Sequence, residues 1–574
     1  MSKMSSKIKE ERKAEKSGAV MNFMGGISYE INPIDTLKMV TASSIFGEPQ
    51  YYRDGEFKQK NVLDGKFGID RCMTNYIIEG MDKYVGMKTS DIMEDVIDQA
   101  LKYDFKATLE WAATLRSEYN MRLNPQIIMV RAACMTDERN KFTEKNPGLF
   151  NEINAKVMSR ADDCLSQMTY YIYKNDGKKN IPGILKKSWA KKIESLSPYE
   201  IYKYRNHDIG LVDGIRICHA SGKKNEKIDE LMSTGTVKVE ENDKTWENLR
   251  ATGKSWEEIT ETIRIPHMAL LRNLRGIFKE ITDSKKADEL LDSLKNGVEK
   301  GKQFPFRYMT ALKAVESESR RDEKLNKNSV KISDALEDCM DIACKNLPKL
   351  PGNNAFLSDN SGSAWGNFNS EYGSVTVANI DNLSAVIGAA NSEYGTVVKF
   401  GDKMIKYPIN KRDGILSQTK KVDKNSGKDD VGGATENGVW LFLKEAIDEK
   451  IVYDNIFIYS DMQAGHGGLY GFGKDKTEYT KRGFATRGNY IDVAKLVDEY
   501  RRTVNPKVNL YCIQTAGYKN VVLPENGYRT NILYGWTGKE LVYADVMNKF
   551  WDEKDREMEL KKEKNNINKN DEER

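Results

Sequence analysis

Histidine is nearly absent: four stand in 574 residues, with no His-rich spacing. A histidine-built zinc site is therefore a poor candidate. Seven cysteines occur, an odd number with no C-x-x-C pair, which excludes a disulfide framework and reads as free thiols in a reducing compartment. No apolar run approaches the roughly 18 residues that a membrane span needs. Residues 1–17 (MSKMSSKIKEERKAEKS) are charged where a secretory signal would have an apolar core. The expectation is a cytoplasmic protein with no membrane partner. Charge of one sign is also lacking: 90 Lys and Arg oppose 86 Asp and Glu, a net +4. Partners must be read from local clusters.

Apolar residues make up 39% of the chain, enough for a sizeable core. The length suggests about three domains or repeat units. From about 35 to 345 the periodicity is helical. Ile92, Val96 and Ala100, with Met93, Ile97 and Leu101, form an apolar stripe after the cap candidates Thr89-Ser90-Asp91. Ser255-x-x-Glu258 is a capping box, and Pro266 sits where another helix could start. Helix following helix over this length predicts stacked pairs, an α-solenoid. After about 350 short apolar runs alternate with helical segments: 355–357, 396–400, 456–459 and 508–513 as strands, 438–450 and 490–503 as helices. That alternation predicts a parallel sheet in a doubly wound α/β domain. Residues 411–433 read as a polar, Gly-rich connection. Both ends, 1–20 and 551–574, read as solvated charged tails.

Two clusters carry chemistry. The run Ala355-Phe356-Leu357 stops at Asp359, Ser361 and Ser363, and a later strand stops at Asp461. Thr435 lies in a glycine-rich loop before a helix. Strand ends are where open α/β sheets gather ligands, and an all-oxygen set suits a hard cation, Mg²⁺ above all. The second cluster is basic: residues 171–227 hold thirteen Lys or Arg against six Asp or Glu. Lys178, Lys179, Lys186, Lys187, Lys191 and Lys192 surround Trp189; Lys203, Arg205 and His207 follow, then Arg216 and His219. Such groups neutralise phosphates, and aromatic rings can stack on unpaired bases. A solvated helical face has the same composition.

The segments LRSEYNMRLNPQIIMVRAA (115–133), TWENL (245–249), KSWEEI (254–259), MALLRNL (268–274) and PFRYMTALKA (305–314), with IFGEPQYYRDG (45–55), resemble the TROVE module. The D-x-S-x-S run with its Thr and Asp partners resembles the metal-ion-dependent adhesion site of von Willebrand factor A domains. In this order the two resemble the Ro ribonucleoprotein autoantigens and their bacterial relatives. The resemblance implies a HEAT-like helical ring over 21–350 and an A-like domain over 351–550. It implies that Asp359, Ser361, Ser363, Thr435 and Asp461 hold the metal. It further implies a Y RNA-like small RNA on the outer basic surface, single-stranded ends of misfolded RNAs in the central hole, and presentation to an exoribonuclease. Lys203, Arg205 and His219 fall in the segment that resembles the Y RNA-contacting region, although Ile201 stands where relatives have a lysine. Arg272 is a candidate to line the hole or to bond within the ring. The expected protein is not an enzyme. The alternative is a metal-dependent protein-interaction module. A Mg²⁺-dependent nuclease fits least, with few acids and no nearby histidine base.

Overall fold

The computed structural model describes residues 19–21, 27–29, 33–34, 37–38, 41 and 89–572, except 120, 176–179, 207–208, 240–244, 302, 304, 346, 363, 366–375, 433–435, 461–480, 485–492, 516–527, 535–537 and 539. A short hairpin, β1 (Ala19–Met21) and β2 (Ile27–Tyr29), precedes the helical part. Helices then follow one another: α1 (Thr89–Tyr103), α2 (Phe105–Ser117), α3 (Asn124–Cys134), α4 (Thr136–Lys145), α5 (Leu149–Val157), α6 (Asp163–Lys174), α7 (Gly183–Glu194), α8 (Pro198–Tyr204) and α9 (Leu211–Cys218). The run continues with α10 (Glu226–Thr234), α11 (Trp246–Ala251), α12 (Trp256–Thr262), α13 (His267–Glu280), α14 (Ser284–Asn296), α15 (Val298–Gly301), α16 (Phe306–Ser319) and α17 (Glu323–Lys345). Local signals set these bounds. The Ser255–Glu258 capping box forms and opens α12, and α13 starts directly after Pro266. In α17 Leu325, Ile332, Leu336, Cys339 and Met340 make one buried stripe.

The second half holds β3 (Leu350–Asp359), α18 (Val377–Ala390), β4 (Ser392–Phe400), β5 (Met404–Pro408), α19 (Ile415–Val422), α20 (Glu436–Asp448), β6 (Asn455–Ser460), α21 (Val493–Thr503), β7 (Asn509–Gln514), β8 (Thr530–Tyr534) and α22 (Glu540–Glu572). Strand order is β5-β4-β3-β6-β7-β8, parallel except for the antiparallel edge pair β4–β5. The sheet is buried on both faces, as a doubly wound fold requires. Phe356, Val397, Phe457, Tyr511 and Ile513 join the core shared with the helical array. Their alternate neighbours Leu357, Val398, Phe400, Ile458 and Cys512 pack with α20 and α21 in a second core. Rings of Phe356, Phe457 and Tyr511 stack across three strands at 4.7 and 4.6 Å.

The α/β half meets both ends of the helical run. On the early side, burial first, then Glu118 and Asp545 of α22, push the Tyr119 phenol up to about 12. On the late side, a Cβ built on Gly538 would stand 3.2 Å from Pro305. Between them, α19 docks onto α16 and α17.

Helix α19 corrects the reading of 411–433 as a connection. Its stripe of Ile415, Leu416, Thr419 and Val422 is buried, but its N-cap, Gly414, has no side chain to satisfy the first N–H groups. Two carboxylates of α17 do so instead. Glu337 accepts from Leu416 N–H at 2.6 Å and from Ser417 N–H at 3.0 Å, and Asp341 accepts from Ile415 N–H at 3.3 Å. Glu337→Ala is expected to destabilise this junction by about 1–2 kcal/mol, as loss of a cap does. Faster amide exchange at 416 and 417 is the readout, and unchanged exchange there would refute the capping role.

The charged segment 551–574 also differs from its sequence reading. Helix α22 runs to Glu572, and Trp551 and Asp555 are buried within it.

Candidate nucleic-acid interface and cation site

Helix α7 turns its lysines outward because its apolar residues claim the other face. Leu185, Ser188, Trp189 and Ile193 are buried. Lys187 and Lys191 are exposed, and Lys186 and Lys192 half-buried. Trp189 is no stacking platform: it is fully buried and donates Nε1–H to Gln167 Oε1 at 2.8 Å.

The aromatic surface comes from α8 instead. A Ser197–Glu200 capping box fixes this short helix. Its tyrosines pair with cations: Lys203 Nζ lies 5.9 Å from the Tyr199 ring and 5.4 Å from Tyr204, and the Arg205 guanidinium 4.0 Å from Tyr202. Arg205 also reaches Asn248 Oδ1 at 3.4 Å. Ile201 is fully buried in the apolar core, so a lysine there would carry its charge into that core.

Two arginines that the sequence reading did not single out complete this surface. Arg160 donates to the Tyr204 hydroxyl at 3.3 Å and pairs with Asp162 at 3.0 Å. Arg122 pairs with the same Asp162 at 2.6 Å. Their side chains remain 46% and 52% exposed, so both can also meet a ligand. Lys192 Nζ donates to Ser159 O at 3.4 Å, beside Arg160. Lys192, Arg160, Arg122 and Lys203 thus form one connected cationic surface edged by tyrosines. The signal was poor in sequence, because Arg122 and Arg160 lie far from the lysine-rich segment.

Around it, Lys186 stands close enough to act on the buried Cys218 thiol, which burial pushes up to about 11. Arg216 is exposed and pairs with Asp213 at 3.6 Å. His219 is exposed, caps α9 in the left-handed conformation (φ 59°), and donates its backbone N–H to Ile215 O. Arg272 is exposed on α13. Lys178, Lys179, His207 and the 45–55 segment lie outside the described residues.

The oxygen cluster stands where the sheet changes direction. The chain leaves β3 for β4 on one side and later returns to β6 on the other, so the β3/β6 boundary is the topological switch point. Asp359 closes β3 and Ser460 closes β6. Ser460 Oγ–H donates to Asp359 Oδ2 at 2.5 Å, and Ser361 N–H donates to Asp359 Oδ1 at 2.8 Å. All three residues are fully buried. One carboxylate among hydroxyls fits a hard divalent cation and not zinc. Ser460 was missed from sequence; its place before Asp461 was the available sign. Ser363, Thr435 and Asp461 lie outside the described residues.

With this geometry in place, the chain can be compared with known proteins. Residues 233–333 match the TROVE domain. That segment runs from the end of α10 into α17 and contains Arg272. The solved structure of the Ro (RSR) protein of Deinococcus radiodurans aligns with a TM-score of 0.53 at 13% identity, over 78% of this chain and 93% of that one. At that identity the likeness is one of fold: a helical ring followed by an A-like α/β domain. The TROVE match covers under a fifth of the chain, and the structural likeness adds the fold alone. No curated protein matches the chain. Among the described residues, no helix is long and apolar enough to cross a membrane.

Proposed function

We propose that this chain is a non-catalytic, cytoplasmic RNA-binding protein. The observation that carries the reading is the connected surface of Lys192, Arg160, Arg122 and Lys203 with the tyrosine rings of α8. Cations supply sequence-independent grip on phosphates, and rings that already hold cations can exchange them for bases. In this reading a Y RNA-like small RNA lies across α7 to α9, touching Lys186, Lys187, Lys191, Lys192, Lys203, Arg205, Arg216 and His219. Single-stranded ends of misfolded RNAs enter the hole of the ring, with Arg272 on its lining. The protein then serves RNA quality control by holding an RNA end for an exoribonuclease.

The α/β half would hold Mg²⁺ through Asp359 and Ser361, with Ser363, Thr435 and Asp461 completing the set. Bound there, the ion would supply a Lewis-acidic contact for an acidic group of a protein partner. Asp359 and Ser361 orient that contact, and burial keeps bulk water away from them.

The triple change R160A/K192A/K203A tests the RNA reading. Affinity for many small RNAs should fall together, and the plot of log K against log salt should become shallower by about 0.7–0.9 for each lost contact. Wild-type affinity and slope in the triple variant would refute it.

A further inference from the structure

Behind the Asp359 carboxylate lies a buried polar chain centred on Asn382 of α18. Asn382 Oδ1 accepts from Ser358 Oγ–H at 2.6 Å and from Asn360 Nδ2–H at 2.8 Å. Its Nδ2 donates to Asn360 Oδ1 at 3.1 Å and to Asp423 Oδ1 at 2.8 Å. A side-chain amide offers two donors and two acceptor sites, and Asn382 uses all four. Ser358, Asn360 and Asn382 are fully buried. No other residue type of this size matches that pattern: aspartate loses both donors and faces Asp423, and leucine loses everything.

The partners give this asparagine its reach. Asn360 stands between Asp359 and Ser361: its side chain anchors inward on Asn382, while the Ser361 backbone N–H donates to the Asp359 carboxylate. Its backbone N–H donates to Phe400 O at 2.8 Å, which holds the same loop against β4. Asp423 is the C-cap of α19 and lies 3.8 Å from Lys313 of α16, in the helical array. From Asp423 onward the following loop is held by Lys399 of β4, whose Nζ donates to the backbone oxygens of Lys424 and Asp429. In a low-dielectric interior a partly satisfied network costs more than none, so a break at its centre loosens all its members.

We infer that Asn382 is a positioning residue: it fixes the strand-end loop carrying Asp359 and Ser361 and ties that loop, through Asp423 and Lys313, to the helical array. The consequence for cation binding rests on the Mg²⁺ reading above; the consequence for loop order does not.

The test uses the full chain with Asn382→Leu, Ser358→Ala and Asp359→Ala. Amide exchange is followed across residues 350–361 and 509–514, and Mn²⁺ binding is followed by electron paramagnetic resonance well below the melting temperature. Asn382→Leu should speed exchange at 358–361 about tenfold relative to β7 and weaken Mn²⁺ about 10–100-fold, as loss of an outer support does. Ser358→Ala removes one of the four bonds and should move both readouts in the same direction by less. It also carries the test if Asn382→Leu does not fold. Unchanged exchange at 358–361, or acceleration spread evenly over the sheet, overturns the inference. Abolition of Mn²⁺ binding by Asp359→Ala supports the cation reading. A wild-type chain that binds no Mn²⁺ removes that reading, and the exchange data then decide the positioning role alone.

Discussion

Replacing Asp555 with alanine is expected to cost about 3–5 kcal/mol of stability, the range for breaking a buried ion pair from one side. Arg529 is only 2% exposed, and its guanidinium binds Asp555 Oδ2 at 2.7 Å, Asp552 Oδ1 at 2.5 Å and Asn509 Oδ1 at 2.9 Å. The two carboxylates come from α22, while Asn509 opens β7 and Arg529 stands in the turn immediately before β8. Without Asp555, the remaining carboxylate is Asp552, which is 54% exposed and screened by water. The arginine would then keep its charge in the interior with half its compensation. The Tyr528 hydroxyl, which donates to Asp555 at 2.9 Å, would lose a partner as well. Urea midpoints of wild type, Asp555→Ala and Asp555→Asn check this. The asparagine variant keeps an acceptor and should lose less. Equal midpoints for wild type and Asp555→Ala would mean that Asp552 alone holds the arginine. Because the pair joins α22 to the sheet edge, the double change R529M/D555L should recover part of the loss.

Trp189→Ala is expected to cost a similar about 3–5 kcal/mol, the sum of a lost aromatic transfer term and a cavity. The indole packs edge-on to Tyr171 at 6.4 Å, and its N–H serves Gln167. Gln167 in turn donates to Gln126 Oε1 and Asn154 Oδ1, both at 2.8 Å. Truncation therefore also strands a buried carbonyl oxygen, which adds about 1–3 kcal/mol wherever water cannot reach it. Trp189→Phe separates packing from recognition. It should melt lower than wild type while keeping RNA affinity within about twofold, since the ring faces the core and no base could stack on it. A large loss of RNA affinity in a well-folded Trp189→Phe protein would place this ring at the RNA after all.

The legible parts of the fold were those whose signals are local. The capping box at Ser255 and Glu258, the start after Pro266, and the apolar runs of β3, β4, β6 and β7 all lie where the sequence puts them. The edge strands β5 and β8 were not seen. Half-exposed Met404–Pro408 has neither an apolar run nor a clean alternation. In the basic segment, helical spacing on α7 gave the outward lysines, but it could not tell that Trp189 faces inward while Tyr199, Tyr202 and Tyr204 face the cations.

The sequence by itself determined the classes of element and their order: a long helical run, then alternating strands and helices, with Asp359 at the end of the first of those strands. Those choices follow from periodicity, caps and β-branched runs, which act over a few residues and survive without the rest of the chain. Only the tertiary structure decided that α19 is a helix, because its N-terminal cap is lent by Glu337 and Asp341 of α17. It alone placed Arg122 and Arg160 beside Lys203, and it alone joined Asn360, Asn382 and Asp423 behind the strand end. These are contacts between groups tens of residues apart, whose partners are chosen by burial and geometry, and no local pattern records them.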